Sequence, residues 1–328
     1  MEIHAPGRGR HLGGRFQTDQ QRGSVAVGAS SGQTTQGLYS VAIGRWAAKL
    51  YQKEYAVAIG QEAGCNLQDD RAIAIGSNAG ANSQGIEAIA IGNRAGYNSQ
   101  KPQSVAIGHY AGSNSQNFFA TAVGVQAGAI NQGESAVAIG NQAGYLNQEE
   151  LSVGIGTYAG QIDQGSNCVA VGYKSGSNNQ TYNGVAIGFE AGSNNQSGGI
   201  AIGWKSGSEE QGTLCLAIGN RAGSNSQSAN SMAIGGLAGS IDQGQGAVAL
   251  GYQAGYINQG NSAVAIGNFA AQSGQSNNSI CINATASIFN INQSDALFIK
   301  PIRGVAHGIG AGILKYDSTT GEITYSTT

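Results

Sequence analysis

Apolar and small residues alternate along this chain in a short, fixed cycle. Val105-Ala106-Ile107 sets a small residue between two β-branched ones, and the triplet returns as Val137-Ala138-Ile139, Val185-Ala186-Ile187 and Val264-Ala265-Ile266. Alternation with period two predicts a β-strand with Val and Ile on one face. The β-branched residues and the glycines every few positions exclude helix. A glycine closes each triplet. With it as position zero, sixteen copies run from Gly28 to Gly267, every interval being 16 residues except the 15 between Gly188 and Gly203. A seventeenth, degraded copy follows at Ser279-Ile280-Cys281-Ile282-Asn283.

The other columns of the repeat are nearly as regular. Position −2 is Ala in every full copy except Gly154, position +3 is Ala or Ser, and position +4 is Gly apart from Ala48 and Ala271. Position +8 is Gln in all sixteen copies. Each copy reads as one coil: a strand, a turn at the glycines, a short second strand and a loop. No such coil buries its apolar face alone, so coils stack at about 4.8 Å, and seventeen make a rod roughly 80 Å long. The expected fold is an all-β parallel β-roll or β-solenoid of about 17 coils.

Two side-chain columns carry expectations of their own. Stacked amides at Gln36, Gln52, Gln68, Gln84, Gln100, Gln116, Gln132 and Gln148 are expected to hydrogen-bond from coil to coil as a ladder at a corner. With Val and Ile turned inward, the −2 alanines point out of the coil. A small apolar residue at that position in copy after copy predicts a flat oligomer interface over Ala42, Ala58, Ala74, Ala90, Ala106, Ala138, Ala186, Ala217, Ala233 and Ala265.

The ends differ from the repeats. Residues 1–19, with Arg8, Arg10 and Arg15, read as an N-terminal arm, disordered or used for attachment. The roll is expected over 20–283 and a C-terminal β cap over 284–328. In the cap, Ala296–Ile302 reads as a strand ended by Pro301, and Ile313–Asp317 and Glu322–Ser326 flank Ser318–Gly321 as a hairpin.

Composition removes several function classes. Glycine makes up 54 of 328 residues, and charged residues 10%, against about 25% in a typical protein. The net charge of −2 gives nucleic acid or an anionic membrane nothing to attract. No apolar run is long enough for a membrane helix, so membrane insertion is not expected. No apolar signal segment opens the chain, so it is expected to be made in the cytoplasm. The four cysteines are scattered, which argues against a disulfide framework or a zinc site.

Catalytic motifs are missing too. There is no H-E-x-x-H, G-x-S-x-G or P-loop. Asp163 and Asp242 share a column but stand roughly 24 Å apart on the coil spacing. No enzyme activity, cofactor or metal is expected. The variable positions +1 and +2 collect aromatics, most densely Tyr173, Phe189 and Trp204 in successive coils beside Lys174 and Lys205. This strip is either a receptor or glycan platform or a stabilising aromatic ladder.

The S-V-A-I-G-x-x-A-G pattern, as in Ser104–Gly112, resembles the head repeat of YadA-like trimeric autotransporter adhesins over roughly residues 24–283. That resemblance implies a left-handed β-roll, a homotrimer and binding to a host surface. The 16-residue period and the Gln column depart from those heads, and neither a heptad stalk nor a membrane-barrel segment is seen. The run from Leu297 to Tyr325 resembles C-terminal modules of fibre-like proteins of large DNA viruses and phages. Together these imply a structural fibre or spike on a virion surface or as an extracellular fibre. A bacterial adhesin head carried by a partner and an ice-binding solenoid are the alternatives.

Overall fold

The computed structural model describes residues 10–12, 18–285, 287–302, 313–317, 319 and 323–326. Within them the chain is an all-β parallel solenoid of about 17 coils, with no helix among the described residues. The Val-Ala-Ile triplets build one wall, a 19-stranded sheet in which Val137 pairs with Val153 and Ile139 with Ile155. The short strands that end at each Gln build the second wall, Ile130–Gln132 lying beside Leu146–Gln148. At the 15-residue coil Ala186 still pairs with Ala201, so the lost residue comes out of the loop and the strands keep phase.

Such tight coils need repeated turns into left-handed backbone. In the coil that starts at Gly140 these fall at Gly140 (φ 132°), Gln142 (52°), Gly144 (52°), Asn147 (53°) and Leu151 (56°). The position-zero glycine has no substitute, because a Cβ on Gly140 would stand 2.6 Å from the carbonyl oxygen of Gly156 in the next coil. Column +7 is mostly Ser, Asn or Asp, of which Asn and Asp tolerate this region best.

The interior of the coil is the opposite of the sequence expectation. The −2 alanines, from Ala42 to Ala265, are fully buried inside their own coil, so they form no oligomer interface. Val and Ile stand outside: Ile107, Ile139 and Ile187 are 37–39% exposed and their Val partners half-buried. The physical reason is width. A Cβ on Gly112 would lie 2.7 Å from the Gln116 amide oxygen and 3.2 Å from the Ala106 methyl. A space that cannot admit one more methyl has no room for a valine. Among the described residues the buried apolar set is alanine and cysteine plus Ile291, and the largest fully buried side chains are the glutamines.

Those glutamines run through the coil interior rather than along an exposed corner. Along most of the column the Nε2 donates to the next coil's Oε1, as from Gln116 to Gln132 (3.1 Å) and from Gln132 to Gln148 (3.1 Å). The same Nε2 crosses the coil and donates to the opposite wall, Gln132 reaching the Thr121 carbonyl at 2.9 Å. One amide thus ties two walls and two coils together, which a carboxylate, without an N–H, cannot do. Three rungs are missing, and the oxygens left without a partner are those of Gln52, Gln100 and Gln211. The Gln196–Gln211 gap coincides with the short coil. Replacing Gln132 with Leu keeps the volume but removes the cross-wall bond and orphans the Gln148 oxygen. We expect a loss of about 2–4 kcal/mol, read from urea unfolding.

The ends close differently. In the inner column the small residues Ala265 and Cys281 give way to Phe298, on the strand Leu297–Lys300 that extends the sheet before Pro301. Phe298 and Phe289 meet edge to face at 6.4 Å and pack on the last alanines with Ile291. A ring therefore fills the coil where stacking stops. The parallel sheet thus runs past the expected boundary at 283. Upstream, Arg10–Leu12 pairs with Val25–Val27 and Thr18–Gln20 with Thr34–Gln36, so strands also reach into the stretch read as an arm. Ile313–Tyr316 and Ile323–Ser326 pair antiparallel, while most of the expected hairpin turn lies outside the described residues.

Candidate interaction surfaces

Because the coils stack in register, each variable column becomes a stripe along the rod. Three stripes matter. The first is the outer face of the Val-Ala-Ile wall, two rows of half-exposed side chains that are Val or Ile except at Thr121, Leu216, Met232 and Leu250. The two corners that flank this wall are the others.

The corner after the wall carries positions +1 and +2 and the aromatic strip. Tyr173 and Phe189 stack at 5.1 Å and 20°, and Phe189 and Trp204 at 6.3 Å and 16°. Tyr158 meets Tyr173 edge-on at 6.0 Å. Arg221 covers the far side of the stack, 4.8 Å from the Trp204 ring, and Lys174 lies 5.5 Å from the Tyr173 ring. Lys205 is held by Glu190 at 3.1 Å. The structure thus brings all five candidate residues together, but as a ladder along the rod. The ring faces are turned on one another, and each residue keeps 39–42% of its surface exposed. A sugar stacks on a ring face, so the arrangement favours a stabilising ladder over a flat platform.

The corner before the wall carries positions +9 to +11, which the sequence reading passed over. Here stand Tyr39, Tyr55, Phe119, Leu151 and Leu214, each 49–75% exposed and each at positive φ. The signal was present as bulky residues where Gly or Asn costs less, but it becomes visible only once the left-handed backbone is known. A groove of about 1130 Å³ runs beside this corner. Its wall includes an amide ladder in which Asn131 donates to Asn147 (3.0 Å) and Asn147 to Asp163 (2.9 Å).

Charge divides unequally between the two corners. Between Gln21 and Asn278 the +9 to +11 corner holds Glu54, Asp69, Asp70, Glu87, Glu134, Glu149 and Glu150 against Arg22, Lys53, Arg71 and Lys101. The +1 and +2 corner holds Arg45, Arg94, Lys174, Lys205 and Arg221 against Glu62 and Glu190. One edge of the apolar wall is net −3 and the other net +3.

Among the described residues no group of three His, Cys, Asp or Glu side chains is placed to hold a metal ion. Cys168, Cys215 and Cys281 are buried and unbridged, and Cys65 is half-buried. Burial pushes the Cys168 thiol up to about 11, and its Sγ donates to the Thr181 carbonyl at 2.7 Å. At pH 8 that group is almost wholly protonated, and the thiolate is the reactive form. Iodoacetamide should therefore label Cys65 first and leave Cys168 unmodified until the coils are unfolded. Peptide mass spectrometry checks this, and Cys168 labelled as fast as Cys65 would contradict it.

The fold defines the class: this is a parallel β-solenoid, a repeat protein of stacked 16-residue coils. A scan against protein-family models found no match, and searches of the curated proteins and of the solved structures returned none. The functional reading therefore rests on the surfaces themselves.

Proposed function

We propose that the chain is a structural, non-enzymatic fibre or spike protein, a homotrimeric shaft or head that presents a surface for attachment to a host receptor or glycan. We place it on the surface of a virus particle, on the resemblance of the run from Leu297 to Tyr325 to viral fibre modules.

One observation carries the assembly. The chain fills its own coils with alanine and glutamine and leaves two rows of mostly Val and Ile outside along the wall. A stripe about 80 Å long and about 10 Å wide offers roughly 800 Å² per copy on the strand and coil spacings. That matches the area each partner buries in a standard interface, about 800 Å², and exceeds the largest apolar patch of a typical monomer, about 300–600 Å². Two rows per chain suit a three-fold ring, in which each chain meets two neighbours. Light scattering should return about 99 kDa, three times 33.1 kDa. A mass near 33.1 kDa at micromolar concentration would sink the trimer.

Attachment is left to positions that stacking does not constrain, namely the two corners and the ends. Replacing Tyr173, Phe189 and Trp204 together with Ser separates the roles of the strip. A ladder role costs about 0.5–1.5 kcal/mol per stacked pair in unfolding. A receptor role removes binding to host cells or glycan arrays while the assembly stays folded. For the particle, antibody against the chain should decorate purified virions, and bare virions would refute a virion-surface role.

A further inference from the structure

The rod is not tied equally well along its length. The Nε2 of Gln132 has three acceptors in reach: Gln148 Oε1 in the next coil, the Thr121 carbonyl across the interior, and the carbonyl of Ala136 at position −4 of the coil that follows. Gln148 and, further on, Gln227 and Gln243 also have all three. Between them lie four successive amides with two each among the described residues. Gln164, Gln180 and Gln211 lack the −4 carbonyl, and Gln196 lacks the next Oε1. Gln84 also has two, but its neighbours Gln68 and Gln100 have three. Position −4 changes over the same four coils. It reads Cys168, Gly184, Gly199 and Cys215, and it is Ser or Ala in every other copy.

The apolar filling breaks in the same place. Buried alanines pack in one column from Ala42 to Ala143 and in another from Ala217 onward, with Ala186, Ala191 and Ala201 as an island between. Gly154 removes a methyl from the column. Ser175 and Ser206 set buried hydroxyls at position +3, where every other copy after the first has Ala. The outer surface compensates. Tyr158, Tyr173, Phe189 and Trp204, ended by Arg221, are the longest run of ring contacts among the described residues, and they span these coils. Where the Gln196–Gln211 rung is missing and the loop is one residue short, Phe189 lies on Trp204 and Glu190 holds Lys205 at 3.1 Å.

We propose that residues 164–215 are a joint built into the rod, loosely tied inside and splinted outside by the aromatic run, which opens locally while the blocks on either side stay folded. The stability of stacked coils is a sum of coil and nearest-neighbour terms, so the rod opens first where neighbouring coils share the fewest bonds. Exposed rings reinforce this stretch without entering an interior too narrow for them. A shaft with such a joint yields under load and closes again without losing either block. The joint belongs to the single chain and depends on neither the trimer nor a receptor.

Native-state hydrogen exchange of the whole chain, read by mass spectrometry, tests the joint. Backbone amides of residues 164–215 should exchange at least about tenfold faster than those of 105–150 and 232–266. Replacing Tyr173, Phe189 and Trp204 together with Ser should widen that ratio by about tenfold or more and leave both flanking blocks within about twofold of the parent. The control removes the contact of Arg94 with Tyr110, which lies over coils whose Gln100 and Gln116 have all three acceptors. Arg94→Ser with Tyr110→Ser should create no second fast stretch. Trp204 reports independently, since Trp46→Phe leaves it the sole Trp. In that variant its emission should change at lower urea than the β-sheet circular dichroism. Uniform exchange along the parent rod, or coincident urea curves, overturns the joint, and these two measurements decide it even where the triple Ser variant does not fold. A folded triple variant that loses protection evenly over all coils overturns the splint.

Discussion

Replacing Ala138 with Gln will destroy the coil, not merely the assembly. Ala138 has no exposed surface and faces the interior between the wall and the Gln ladder. A second long amide there displaces Gln132 or Gln148, or pushes the walls apart. Overpacking of about 1–3 kcal/mol adds to the cost of a buried amide without partners, so we expect a loss of about 3–5 kcal/mol per chain. Because each coil stacks only on its neighbours, the damage should spread from that point and lower the cooperativity of melting. Circular dichroism with hydrogen exchange across residues 121–155 checks this. A variant with an intact melting transition and only a reduced mass would place Ala138 on an outer face after all.

Changing the outward rows should do the reverse. Ile107, Ile139 and Ile155 project from the wall at 37–39% exposure, and Asp at each leaves the coil interior untouched. We expect the single chain to keep its β-sheet spectrum and to lose less than about 1 kcal/mol per site, as for other surface changes. Association should fail. Three carboxylates per chain would be buried against apolar neighbours without partners, at a cost of at least about 4 kcal/mol, or a thousandfold in affinity. The expected outcome is a folded species of 33.1 kDa. Unchanged assembly of this triple variant would move the interface off the wall. Set beside Ala138→Gln, it distinguishes a residue that holds the coil together from one that holds the copies together.

Most of the architecture was legible in the sequence because a repeat states its geometry many times over. The 16-residue interval set the coil, period-two alternation set the strand, and the loop that lost one residue kept its phase, as the pairing of Ala186 with Ala201 shows. The Gln column announced a hydrogen-bonding role because no other residue occupies it. The direction of the strand was not legible. Alternation tells which residues share a face and is silent on which face is inside. The expectation that Val and Ile are buried assumed a coil wide enough to hold them. Only the folded coil shows a space already filled by a methyl, an amide and a glycine without a Cβ, which turns Ala106 inward and Ile107 outward. The aromatic strip behaves the same way. Neighbouring coils had to bring Tyr173, Phe189 and Trp204 together, but only three-dimensional packing decided that their faces meet one another. The sequence by itself determined the repeat, the stacking and the columns. The tertiary structure decided which side of each column faces the interior, because that depends on the width of the coil, and width is set by backbone turns at positive φ that no single residue type encodes.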